Sequence, residues 1–240
     1  MILRQFLHED PVAASYFFGC GGHAVVAVED SLGDIEPYRH LAAKTGTRIR
    51  YVIDTHLHTD HQSCGRALAE SEGAEYVLFA GAEVTFPFRK VRDCDVLELG
   101  DVLAEVLHTP GHTREHISLL VTDKTRSPEP WFLLSGHTLM VGDLGRTELA
   151  ASAAESARAL FQSVQRMKTL PEIFPGAYAG SVCGRGLSGK PNSTIGFEKR
   201  HNAAFKVGDE NTFLRLMLAD IPPPPRAAEF RAFNAGLATD

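Results

Sequence analysis

A chain of 240 residues can bury a sizeable core, and its 44% apolar and 22% charged content is that of an ordinary globular protein. No run of about 18 apolar residues occurs, and the start MILRQFLHED has no basic stretch leading into an apolar one, so neither a membrane helix nor a secretory signal is expected. A formal net charge of −6 without a Lys/Arg-rich block argues against nucleic acid as a partner. Cys20, Cys64, Cys94 and Cys183 form no CxxC pair, which reads as reduced thiols in a cytoplasmic protein rather than a disulfide framework or a zinc knuckle.

In chain order, residues 12–30 read as two short strands around a glycine-rich turn at Gly19, Gly21 and Gly22. The segment 34–46 sets Ile35, Tyr38, Leu41 and Ala42 at helical spacing and stops at a glycine. RIRYVIDT is an apolar strand that runs into THLHTDH, with a helix expected over 63–73. EYVLFA reads as a strand, DVLELGDVLAEVLHT as a hairpin turned at Gly100 and Asp101, and HISLLVTD and WFLLSGHTLM as two further strands. An amphipathic helix is expected over 151–170 from Leu160, Val164 and Met167. Beyond Ile221 the run PPPP at 222–225 reads as an extended segment or linker. No repeat of fixed period is present, and strands interleave with helices, so the class is α/β.

Eleven histidines is a high number for this length, and His56, His58, His61 and His112 fall into two tight motifs. In THLHTDH the alternation of an extended chain puts His56 and His58 on one side, and the following turn brings Asp60 and His61 back towards them. In HTPGHT, Pro110 and Gly111 make a turn that aims His112 at the same place, while His116 reads as a core or supporting histidine. Imidazole and carboxylate are ordinary ligands of zinc, iron and manganese. The chemistry-bearing residues all sit where an apolar strand runs out into a loop.

THLHTDH and HTPGHT match two motifs of the metallo-β-lactamase superfamily, which the chain therefore resembles. SGHTL looks like the third motif, with His137 where the family carries a metal-bridging aspartate, and FPGAY has Ala177 where a last histidine stands. Asp143 reads as a loop hydrogen-bonder rather than a replacement ligand. VGDLGRTEL (141–149) and SVCGRGLSGKPNSTIGFEKRHN (181–202) are similar to the persulfide dioxygenase (ETHE1-like) branch, so the resemblance covers roughly residues 10–205.

The resemblance implies an αβ/βα sandwich of two mixed sheets flanked by helices. It would form one domain over 1–240, with a Pro-rich C-terminal extension from about 221. It implies one Fe(II), with Zn(II) or Mn(II) as alternatives, on His56, His112 and His137. His58, Asp60 and His61 then belong to the catalytic set, His58 as a fourth ligand or a support. Asp60 and His61 alone make a weak two-ligand second site, so one metal is expected. Arg146, Arg185 and Lys190 are candidate cations for a substrate carboxylate, Tyr178 a candidate hydroxyl and Cys183 a candidate contact for substrate sulfur. The implied reaction is oxidation of a low-molecular-weight persulfide such as glutathione persulfide by O₂ to sulfite, in a homodimer. The alternatives are a thioester or lactone hydrolase of the glyoxalase II type and a non-catalytic metal-binding relative.

Overall fold

The computed structural model describes residues 1–149, 152–219 and 226–237. Six strands form a first mixed sheet in sequence order: β1 (Ile2–Glu9), β2 (Val12–Cys20), β3 (Val25–Glu29), β4 (Arg48–Ile53), β5 (Glu75–Phe79) and β6 (Arg89–Val91). The first three pair antiparallel, and β3 to β6 run parallel. Helices α1 (Glu36–Thr45) and α2 (Gly65–Glu72) are the crossovers that parallel strands require. The second mixed sheet continues the order with β7 (Val96–Leu99), β8 (Val102–His108), β9 (Ile117–Asp123), β10 (Phe132–Gly136), β11 (Glu172–Pro175) and β12 (Ser193–Thr194). Helices α3 (Ala153–Met167), α4 (Ile195–His201), α5 (Glu210–Met217) and α6 (Ala227–Asn234) complete the chain.

Period-two alternation explains the layering. In β2, Tyr16 and Phe18 enter the core between the sheets, where they join Ile53, Val106, Leu119 and Leu134, while Phe17 faces the α1/α2 layer with Tyr38, Val52 and Leu68. On the other side Leu133 of β10 meets Leu160 and Val164 of α3 and Phe213 of α5. Both faces of β10 are therefore buried, and FLLSG reads as a continuous apolar run instead of an alternating one. The two sheets and their helix layers are the αβ/βα sandwich of the sequence reading.

Some expectations differ from the structure. Strand β1, the short β6, β11 and β12, and helices α4 to α6 were not anticipated, although α5 is amphipathic, with Phe213 and Met217 buried one turn apart, and was findable on that ground. The expected helix over 151–170 is shorter. It starts after Ser152, whose hydroxyl caps the Glu155 N–H, and it ends three residues before Leu170, the residue preceding a proline. Residues 150, 151 and the Pro-rich run at 222–225 lie outside the described residues. The reading of the tail as extended does not hold for 227–234, which form α6. No helix among the described residues is long and apolar enough to cross a membrane.

Candidate metal centre

Four strand ends deliver one cluster: β3 runs into Asp30, β4 into Asp54, Thr55 and His56, β8 into the HTPGHT loop and β10 into His137. His56, His112 and His137 are fully or almost fully buried. Their ring centroids lie 4.8 to 5.2 Å apart, and one donor nitrogen from each is within 4.8 Å of the other two. His56 Nε2, His112 Nε2 and both nitrogens of His137 have no hydrogen-bond partner. A buried polar atom left without a partner costs about 1–3 kcal/mol. Several of them at one point fit a cation that takes their lone pairs.

The protonation states agree with that reading. Burial, then the neighbouring imidazoles, push His56 well below the ordinary histidine range. Burial and His137 push His112 down to about 3, and burial also lowers His137. All three rings are thus neutral near pH 7, the form that binds a metal.

Two of the rings are held from behind, and the third through its backbone. His56 Nδ1 lies 2.9 Å from the Thr55 hydroxyl, which itself donates to Asp30 Oδ2 at 2.7 Å. Since Thr55 has spent its proton on Asp30, His56 Nδ1 is the donor and Nε2 keeps its lone pair. His112 Nδ1 donates to the Arg146 carbonyl at 3.0 Å, leaving Nε2 in the same state. The His137 backbone N–H donates to His116 Nε2 at 3.0 Å, while His116 Nδ1 sits 2.9 Å from the hydroxyls of both Thr109 and Thr138. His116 therefore positions the backbone of His137. Space for the His137 ring comes from Gly176, where a Cβ would stand 3.0 Å from His137 Cδ2. Such partners fix ligand tautomer and orientation.

A second group adjoins the first. His58, Asp60 and His61 bring donor atoms within 4.8 Å of one another, and Asp60 is grouped in the same way with His137 and Cys183. The expected two-ligand second site thus has a third donor in His58, because the turn after His58 folds back on itself. His58 Nε2 lies 3.2 Å from Asp30 Oδ1, and its Nδ1 has no hydrogen-bond partner. Burial opposes both charges of this pair. It is outweighed at His58 by Asp30, which raises the imidazole to about 9, and at Asp30 by His58 and Thr55, which hold the carboxyl at about 2. Burial also raises Glu29 and Asp54 behind them, and Tyr76 donates to Asp54 at 2.6 Å. Asp60 stays well below the usual carboxylate range because His61 and His137 outweigh its burial. Burial, then Asp60, pushes the Cys183 thiol well up.

A cavity of about 630 Å³ opens onto Asp60 and His61, with Leu32 and Cys64 on one side and Arg226, Phe230 and Phe233 on the other. The last three flank or belong to α6, so the C-terminal helix is a wall of the site. It is tied there by Asn234, whose amide donates to the carbonyls of His58 and His61 at 2.9 Å each and accepts from Ser63 N at 2.9 Å. Arg231 adds a bond to Glu115, which also accepts from Leu57 N at 3.1 Å.

The structure brings His56, His58, Asp60, His61, His112 and His137 together. The four anticipated substrate residues are placed differently. Arg146 is buried behind His112, with its guanidinium on Glu148 and the Val182 carbonyl. Tyr178 donates to the His8 carbonyl at 2.6 Å. Arg185 is exposed and donates to the Leu216 and Ala219 carbonyls, and Lys190 is exposed and folds onto Asn192. Asp143 accepts from the backbone of Leu144, Arg185 and Gly186, the loop role expected of it. Sequence reading missed Asp30, Glu115 and Asn234. Asp30 ends an apolar strand as His56 does and was findable on that ground, whereas the other two act through pairings over 58 or more positions.

No family model matches the chain. Among solved structures it is similar to a metallo-beta-lactamase from Staphylococcus aureus subsp. aureus COL, at 32% identity and TM-score 0.93 over 99% of this chain and 73% of that one. ETHE1 from Myxococcus xanthus follows at 26% identity and TM-score 0.84, over 99% of this chain and all of the other. Among curated proteins, the mitochondrial persulfide dioxygenase ETHE1 of Bos taurus is 25% identical, over 96% of this chain and 85% of its own length. A hydroxyacylglutathione hydrolase of Rhodospirillum rubrum is 30% identical over 65% of this chain and 57% of its own length. A beta-lactamase hydrolase-like protein of Xylella fastidiosa is 28% identical over 71% of this chain, and the chain spans only 42% of that protein.

Proposed function

The chain belongs to the metallo-β-lactamase superfamily, and on that premise we propose that it is a persulfide dioxygenase with a single non-haem Fe(II). The reaction would be RSSH + O₂ + H₂O → RSH + SO₃²⁻ + 2H⁺. One observation carries this reading: the three donors that meet at His56, His112 and His137 are all imidazoles, with a histidine where the resemblance implies the bridging aspartate. A three-donor set leaves coordination positions open, and imidazole suits iron. Ala177, where the resemblance implies a last histidine, has no side chain that could ligate.

When bound, the iron would supply the redox chemistry and a positive charge for an anionic sulfur ligand. The protein's own groups do the rest. The Asp30–Thr55–His56 relay and the Arg146 carbonyl keep the ligating nitrogens deprotonated. Asp60, ionised and 3.1 Å from His61 Nδ1, would accept a hydrogen bond from the persulfide S–H beside Cys183. The cavity bounded by Phe230, Phe233 and Arg226 would take the body of the thiol carrier, and Arg226 would meet its carboxylate only by leaving Glu229, on which its guanidinium rests at 2.9 Å. Arg185 and Lys190 would act only at the outer rim, since both side chains are exposed and bonded elsewhere.

A second reading, a zinc-dependent thioester hydrolase, draws on the His58–Asp60–His61 group, which offers three donors to a second ion. The two separate in one experiment. Anaerobically Fe(II)-loaded protein given glutathione persulfide should consume O₂ and release sulfite in equal amounts. No sulfite, together with oxygen-independent cleavage of a glutathione thioester by the zinc form, would replace the first reading by the second.

A further inference from the structure

At the opposite end of the sandwich a second set of metal-type donors converges. β8 alone spans roughly 20 Å from Val102 to His108 at the usual strand rise. The Gly100–Asp101 hairpin that starts it is therefore remote from the histidine centre reached at its far end. There Cys20, His23 and Asp101 each offer a donor atom, all within 4.8 Å of one another. His23 Nε2 and Cys20 Sγ approach the same carboxylate oxygen, Asp101 Oδ2, at 3.1 and 4.0 Å. We propose that these three residues form a zinc site, open to water in its fourth position, that joins the two sheets.

The donors come from two turns on different sheets, β2–β3 and β7–β8. Zinc prefers thiolate, imidazole and carboxylate in a tetrahedron, in which neighbouring donors stand about 3.3–3.5 Å apart. The His23–Asp101 distance of 3.1 Å is close to that, and the sulfur, 4.0 Å from the carboxylate oxygen and within 4.8 Å of the imidazole donor, would have to move inward by about half an ångström or more. The turns are shaped for this approach. Gly100 has φ +68, and a Cβ there would come within 2.6 Å of His23, so the ring packs on bare backbone. The Asp101 carbonyl is fixed by the Lys124 N–H at 2.9 Å, and Cys20 is anchored in the β2–β3 ladder opposite Val25. The His23 contact and the Cys20 S–H hydrogen bond share one carboxylate oxygen, so all three donors already meet at one point. Cys20 is 5% exposed and His23 and Asp101 much more so, which suits a site sealed on the sulfur side and hydrated on the other. Binding releases the Cys20 proton, and the thiolate and carboxylate together neutralise Zn²⁺.

The test titrates the full-length chain, its histidine centre already loaded with iron, with Co(II) and then Zn(II). A thiolate-to-cobalt charge-transfer band should appear, be displaced by zinc, and be unaffected by excess Mg(II). It should persist in Cys183→Ser and vanish in Cys20→Ser. In His23→Ala, affinity should fall on the order of 100-fold, since removing a direct ligand costs at least as much as removing its supporting partner. The His23 ring is exposed, so His23→Ala stays informative if Cys20→Ser fails to fold. Zinc should raise the melting temperature of the parent and not of His23→Ala, with persulfide turnover unchanged. A band that survives in both variants, or that disappears only in Cys183→Ser, would overturn the proposal, as would the absence of any zinc uptake beyond the histidine centre.

Discussion

The two ends of the sandwich use similar donors to different effect. At the histidine end every ring is buried and its residue held by a further partner: Thr55 behind the His56 ring, the Arg146 carbonyl behind the His112 ring, and His116 on the backbone of His137. At the other end His23 rests on Gly100 and Asp101 and is largely open to solvent. Preorganisation of ligands, more than their identity, separates a resident ion from an exchangeable one. On the proposed reading the first end is a reaction centre, and the second a clasp whose strength depends on available metal.

The sharpest way to break this contrast is His112→Ala. It removes one of three donors, so iron affinity should fall by about 100-fold or more, and elemental analysis after gel filtration should find the variant nearly empty. Unchanged metal content would mean that the centre is not built on this ring. Next come two changes that replace no ligand. Gly176→Ala should displace the His137 ring, and Asn234→Ala should release the loop of His58 and His61; each should lower iron affinity by about 10–100-fold. The second should do so with KM for the persulfide also raised, because α6 walls the cavity. Full retention of affinity in both would reduce these residues to bystanders.

A smaller effect concerns pH in the metal-free protein. The raised His58 imidazole contributes stability that is complete below its ordinary value of 6.5 and is lost as pH rises through about 9. The lowered Asp30 carboxyl contributes stability present above its ordinary 3.8 and lost as pH falls towards about 2. Thermal melts should therefore decline on the alkaline side from about pH 6.5, and His58→Gln should abolish that part of the decline. The smallest effect is expected at the other end. Without metal, His23→Ala should shift the melting temperature by about 2 °C or less, since exposed ion pairs contribute little.

The sequence made the centre legible because its ligands occur in two short motifs, THLHTDH and HTPGHT, each after an apolar strand. His137 was legible only through the resemblance, since one histidine after a strand carries no local signal. The α/β class was readable from strands interleaved with helices, and the two-sheet sandwich only through the resemblance. Helix α6 was not: its chain follows a proline run, it is only eight residues long, and its place depends on Asn234 reaching carbonyls more than 170 positions away. The cations Arg185 and Lys190 were read as substrate contacts from sequence position alone. Their actual partners are carbonyls and a side chain of the local chain and α5, which no motif announces.

X-ray absorption at the iron edge of the Fe(II)-loaded protein tests the central claim most directly. The account predicts one iron per chain, with three imidazole scatterers and oxygen or sulfur ligands from solvent or substrate in the remaining positions. An iron–iron scattering path, or a first coordination sphere with fewer than three imidazoles, would contradict it.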